Sequence, residues 1–262
     1  MRALKSCLAL LKKELLIYFG SPIFYITGFF FLVLAGYFFI TNVLYYNLMS
    51  LQLAQQAINP QIAAQVNPQQ MVLRPLFAVL GIVLLFLVPF ITMRLLAEEK
   101  RSGTAELLFT YPISDWAVIL GKFAAALLVY LALLAFTLSY PAALGYISPL
   151  DWGALGAGYL GLALLGAACL ALGLFASSLT ENQLVAGVVG FALLMLFWII
   201  GWVQELRAGG LGEVLRHLSL LDHFDNFSRG VLDTRDLVYL GSFIYFFLFL
   251  TKRQLESRRW RA

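Results

Sequence analysis

Charge is what this chain has least of. Only 12% of its 262 residues are Asp, Glu, Lys or Arg, against roughly 25% in an ordinary soluble domain, while 61% are hydrophobic. Fourteen acids and eighteen bases cannot cover a globule of this size, so a water-soluble fold is excluded and the surrounding solvent is mostly lipid. Cysteine is almost absent. Cys7 and Cys169 make neither a bridge framework nor a metal knuckle. Histidine is equally scarce: His217 and His223 stand six apart, whereas helical ligand pairs stand three or four apart, and no His-Glu-x-x-His run occurs. With Asp222 and Asp225 nearby, these histidines read better as turn-capping residues than as a metal site. A phosphate-cradling loop is missing as well, because Gly121-Lys122 is followed by Phe123 and no glycine stands five positions before Gly121. Neither a metal site, a catalytic residue nor a cofactor is expected in this chain.

What is present is a set of long apolar runs. A spanning helix needs about 20 mostly apolar residues, and six candidates occur, over about 22–44, 76–93, 123–140, 155–175, 184–203 and 237–251. Ser21 and Pro22 are suited to open the first, and Tyr45 and Tyr46 to close it at an interface. The second is bracketed by Arg74 and Arg94 and carries Pro89. The fourth places Ala163, Ala167 and Ala171 at four-residue spacing, which suits close packing of helices within the chain or pairing with a second one. Before the fifth, Thr180 and Gln183 have the spacing of a capping box. The sixth is short for a roughly 30 Å hydrocarbon core.

Charge distribution supports keeping it. With six spans both termini share a side, and 13 of the 18 bases then lie on that side, including Arg94, Lys100, Arg101, Lys122 and the C-terminal group. The positive-inside rule therefore predicts cytoplasmic termini. The same distribution explains the net charge of +4: the bases mark membrane edges, and no nucleic-acid partner is expected. Within residues 1–20, Leu4, Leu8, Leu11 and Leu15 fall on one helical face, which predicts an interfacial helix on the cytoplasmic leaflet rather than a cleaved signal. Residues 47–73 carry no charge and are expected to form an external loop, helical in part.

The densest charge cluster runs from Arg94 through Glu98, Glu99, Lys100, Arg101, Ser102, Gly103, Thr104, Glu106, Leu107, Leu108 and Phe109 to Pro112 and Ser114. Read physically, it is either a solvated loop or a short helix, about 97–110, presenting an apolar tip to a groove on a soluble partner. The stretch Glu98–Thr104 with Glu106-Leu107-Leu108 and Pro112-Ile113-Ser114 resembles the coupling-helix region of ABC-2 type permeases. Ser177, Ser178, Thr180, Asn182 and Gln183 are similar to the turn between the fourth and fifth spans of that family, and Asp222–Val231 resembles its gliding-motility-associated subgroup.

The resemblance implies an all-α polytopic membrane protein similar to type V exporters: six transmembrane helices, an N-terminal interfacial helix, a cytoplasmic coupling helix and an external re-entrant segment. That segment would cover about 204–236, with His223, Phe224, Phe227 and Gly230 in it; an ordinary amphipathic external loop is the alternative. As partners the resemblance implies a separate ABC ATPase, two copies, carrying ATP and Mg, and a second permease chain, identical or related. It also implies a bacterial or archaeal inner membrane. Glu98 and Glu106 would anchor the coupling helix in the ATPase. An ion-coupled secondary transporter is the rival; the absence of ionisable residues in the six span cores weighs against it. A membrane scaffold without transport is another. The uncharged spans suit an amphipathic or lipid-linked cargo.

Overall fold

The computed structural model describes residues 2–55, 67–103, 114–146, 148, 150–203 and 219–259. Among them the regular structure is helical: α1 (Arg2–Phe19), α2 (Pro22–Gln55), a π-helical turn (Gln69–Leu73) running into α3 (Arg74–Thr92), α4 (Ala97–Arg101), α5 (Asp115–Thr137), α6 (Ser139–Gly145), α7 (Trp152–Leu179), α8 (Gln183–Val203), α9 (Leu220–Ser228) and α10 (Thr234–Arg259). Six stretches are long and apolar enough to cross a membrane, so the chain is an all-α polytopic membrane protein.

Short polar side chains start several of these helices. The Ser114 hydroxyl accepts from the Ala117 N–H, Asp151 from the Gly153 N–H at 2.9 Å, and Ser219 from the Asp222 N–H, each satisfying a donor that the first turn leaves open. At α8 the cap differs from the expected Thr180–Gln183 box. Asn182 Oδ1 accepts from the Leu184 N–H at 3.0 Å, while Thr180 Oγ1 accepts only from the Asn182 N–H.

Two helices outrun their apolar cores. α2 has 34 residues, about 50 Å at 1.5 Å per residue. It continues past Tyr45 and Tyr46 because Asn47–Gln55 holds good helix formers and no proline. α10 has 26 residues, about 39 Å, which removes the length shortfall of its fifteen-residue uncharged centre.

α7 is the hub, touching α3, α5, α8, α9 and α10. Ala167 and Ala171 are buried and Ala163 partly so, but the closest approaches occur at glycines. Phe77 of α3 fills the space a Cβ would occupy at Gly158, Phe227 of α9 at Gly161, Tyr130 of α5 at Gly166 and Thr92 of α3 at Gly173. Each glycine costs roughly 1 kcal/mol of helix propensity relative to alanine. In lipid the return is dispersion and backbone proximity, since hydrocarbon already solvates the rings.

α1 packs along α5, with Leu10 and Glu14 buried and Cys7, Leu11, Leu15 and Tyr18 partly buried. Of the leucine face expected to lie on the leaflet, Leu11 and Leu15 are partly buried and Leu8 is 56% exposed from the protein; the Leu4 side chain lies outside the described residues. The face turned to α5 includes Glu14, whose charge partner there is Lys122. The chain's two terminal helices meet the start of α5 at one end of the bundle: Cys7 and Leu10 lie beside Gly121, and Lys252 lies over Trp116 at 5.7 Å. We call this the terminal end and the opposite one the distal end.

A candidate coupling face and a distal cluster

α3 ends at Thr92, and the chain turns through Met93–Leu96 into α4. α4 suits its polarity, with Glu98 and Glu99 in its first turn and Lys100 and Arg101 in its last, opposite to the helix dipole. Its opening N–H groups are capped from another helix. Ser177 Oγ, at the end of α7, accepts from both Leu96 N and Ala97 N at 3.1 Å and donates to the Met93 carbonyl at 3.3 Å. The Lys100 ammonium donates to the Ser178 carbonyl. Two of the sequence-predicted stretches therefore meet: the start of the charged segment is bonded to the turn after the fourth span.

Of the helix expected over about 97–110, only the part up to Gly103 lies within the described residues, and it is interrupted there. α4 stops at Arg101, Ser102 bonds back to the Glu98 carbonyl at 2.9 Å, and Gly103 adopts φ +70°, the left-handed conformation of a helix-ending glycine. Arg101, Ser102 and Gly103 are exposed. Thr104, Glu106, Leu107 and Leu108 lie outside the described residues.

Behind α4 is a charge cluster that sequence reasoning missed. Lys122 Nζ, 1% exposed, lies 2.7 Å from Glu14 Oε1 and 2.9 Å from Glu99 Oε1, and Lys13 Nζ reaches the same Glu99 oxygen at 3.1 Å. Arg94 pairs with Glu98 at 2.9 Å and donates to Ser21 Oγ at 2.7 Å. Tyr18 donates to the Ile91 carbonyl at 2.8 Å; burial, with Glu14 adding to it and Arg94 opposing, pushes the phenol well up, so it stays a neutral donor. One signal was available. Glu14 is the only acid in residues 1–20 and Lys122 the only charge between Asp115 and Asp151, so each is the single charge of its sign in its stretch.

At the distal end, α9 is held to α7 by buried Phe224 and Phe227. Gly230 takes φ +84° with Ala154 of α7 where a Cβ would stand. His223 Nδ1 lies 2.6 Å from Asp236 Oδ1 and its ring stacks on Tyr239 at 3.9 Å, while Asn226 donates to Asp236 Oδ2 at 2.9 Å. Asp225 bridges Arg74, at 2.9 Å, and Arg229. Burial raises its carboxyl, but the hydrogen bonds and charges of these two guanidinium groups together hold it below the usual carboxylate value. His217 and the rest of 204–218 lie outside the described residues. No group of three or more His, Cys, Asp or Glu that could hold a metal occurs among the described residues.

A search of curated proteins finds no match to this sequence. The family of ABC-2 family transporter proteins matches residues 40–206, which takes in α3, α4, α5, α6, α7 and α8 with the charged segment and the Ser177–Gln183 turn. It ends before Asp222–Val231, so the likeness to the gliding-motility subgroup gains no support from it. Six apolar helices and a family match over well over half of the sequence make this chain a member of the ABC-2 transporter family, the multi-pass membrane permease component of an ABC transporter.

Proposed function

We propose that the chain is the permease half of an ATP-driven exporter, moved by a separate ABC ATPase that docks at α4 and the residues after it. The observation that carries this is the fastening of α4. Through Ser177 and Ser178 it is tied to α7, through Glu99 to Lys122 of α5 and Lys13 of α1, and by direct chain continuity to α3. A push on the exposed Arg101–Gly103 turn is therefore delivered to three spans at once, which suits a rigid-body change of pathway access.

In this reading the terminal end is cytoplasmic, in agreement with the placement of the bases, and the membrane is a bacterial or archaeal inner membrane. ATP and Mg sit on the ATPase, two copies of which serve two permease chains, identical or related. Glu98 and Glu106 help to anchor the docked partner. The cargo class that suits the uncharged spans is amphipathic or lipid-linked. Family membership favours ATP drive over ion coupling.

The test is affinity purification of the intact chain from its native membrane in mild detergent, with ATP turnover measured on what co-elutes. Arg101, exposed and making no ion pair among the described residues, supplies the variant. Arg101→Glu should reduce ATPase co-elution and turnover several-fold, as should Glu106→Lys, whereas Asp225→Lys at the distal end should spare docking. Co-elution and turnover unchanged in both terminal-end variants would overturn the assignment of this face; a well-folded chain that brings down no ATPase would overturn the ATP-driven reading.

A further inference from the structure

A cavity of about 270 Å³ opens beside the charge cluster, walled by α1, the start of α2, the end of α3 and side chains of α4 and α5. Its two halves are chemically opposite. One is apolar, formed by Phe24, Leu87, Phe90, Ile91 and Leu133; the other holds Lys13, Glu14, Arg94, Glu98, Glu99 and Lys122. Ile17, Ile23 and Phe90 are 42%, 40% and 50% exposed, so the rim is apolar where it faces the membrane.

The charged half has hydrogen-bonding capacity left over. Arg94 spends three of its five N–H donors, on Glu98 and Ser21. Lys122, 1% exposed, spends two of three, and Glu14, 6% exposed, has one carboxylate oxygen with no donor among the described residues. Most polar atoms this buried have at least one hydrogen-bond partner, so the second Glu14 oxygen stands out. The lining carries three cations and three carboxylates, so a simple anion or a simple cation would meet repulsion as well as attraction. A headgroup bearing both a phosphate and an ammonium group matches both signs.

From these observations we infer that the cavity binds the headgroup of a zwitterionic glycerophospholipid from the leaflet at the terminal end. The phosphate takes the spare donors of Arg94 and Lys122, the ammonium faces Glu14 and Glu98, and the acyl chains leave past Ile17, Ile23 and Phe90. The volume is just below the ~300–1,000 Å³ of sites that enclose a whole small molecule, as fits a headgroup and glycerol with the chains outside. The site lies between α1 and α3, so its occupancy stiffens the junction of the N-terminal helix with the charged segment whether or not an ATPase docks there.

The experiment is native mass spectrometry of the delipidated full-length chain in detergent, titrated with phosphatidylethanolamine, phosphatidylglycerol or free phosphoethanolamine. Phosphatidylethanolamine should bind about tenfold more tightly than either of the others. Arg94→Gln should remove that preference. Thr27 of α2 also lines the cavity and makes no ion pair; Thr27→Trp, which fills the space, should also weaken phosphatidylethanolamine binding about tenfold, and it keeps the test valid if Arg94→Gln fails to fold. Equal binding of the two lipids, a Thr27→Trp chain that binds as the parent does, or no lipid retained at all would each overturn the inference. Equal binding of free phosphoethanolamine would overturn the lipid as the source.

Discussion

Replacing Lys122 with methionine keeps an unbranched side chain, one atom shorter, and deletes its charge. Glu14 and Glu99, 6% and 13% exposed, then face each other across the position that the ammonium held at 2.7 and 2.9 Å. Removing one partner of a buried ion pair costs about 3–5 kcal/mol, because the remaining charge stays desolvated. At about 2–4 °C per kcal/mol for a chain of this size, Lys122→Met should lower the unfolding midpoint on the order of 10 °C. Glu14→Gln leaves Lys122 its contact with Glu99 and should cost less, about 1–3 kcal/mol. The double variant relieves the repulsion between carboxylates and should be more stable than the sum of the two singles predicts, by about 0.5–3 kcal/mol. The assay is loss of the monodisperse peak on size-exclusion chromatography after heating the detergent-solubilised chain. A Lys122→Met midpoint at the parent's, or strictly additive singles, would show that the pair is not a coupled buried unit.

Gly166→Ala should cost about 1–3 kcal/mol from overpacking against Tyr130, and about 1 kcal/mol more if the Tyr130 bond to the Leu162 carbonyl is lost, whereas Gly156→Ala, with nothing within 4 Å, should gain up to about 1 kcal/mol; the same heating assay compares them. Asp225 has a folded pKa below its ordinary 3.8, so its contribution is complete above that value and is lost as pH falls through it toward the lower, folded pKa. The stability difference between the parent and Asp225→Asn should therefore be present at pH 6 and shrink at pH values below 3.8, with a size of about 0–1 kcal/mol for a pair this exposed; a difference independent of pH would remove the ion pairs from the explanation.

The helices were legible because lipid demands it: a run of apolar residues long enough to span has few other ways to bond its backbone. The packing was less so. α1 shows why, since its leucine stripe says nothing of Glu14, which is buried against a charge that lies on another helix. The coupling segment was found by its charges, yet its break at Gly103 depends on backbone conformation, and its cap comes from Ser177, 80 residues away from Ala97. Likewise His223 invited pairing with its neighbours Asp222 and Asp225, while its partners Asp236 and Tyr239 come from α10. The alanine spacing of α7 pointed to the right helix, but the approaches themselves are set by which glycines face rings.

The four notches of α7 also restrict how the bundle can move. A side chain seated in a notch blocks both sliding along α7 and rotation about it, and the seats hold α3 at two points along its length, with α5 and α9 at one each. These elements share one frame with α7 and have few relative degrees of freedom. α2 is fitted less deeply: a Cβ added at its Gly28 or Gly36 would stand 3.0 and 3.3 Å from Leu133 and Tyr140, tight contacts but without the overlap found at the α7 notches, and most of its surface faces outward. Any displacement that the membrane-embedded part undergoes is thus cheapest between α2 and that frame.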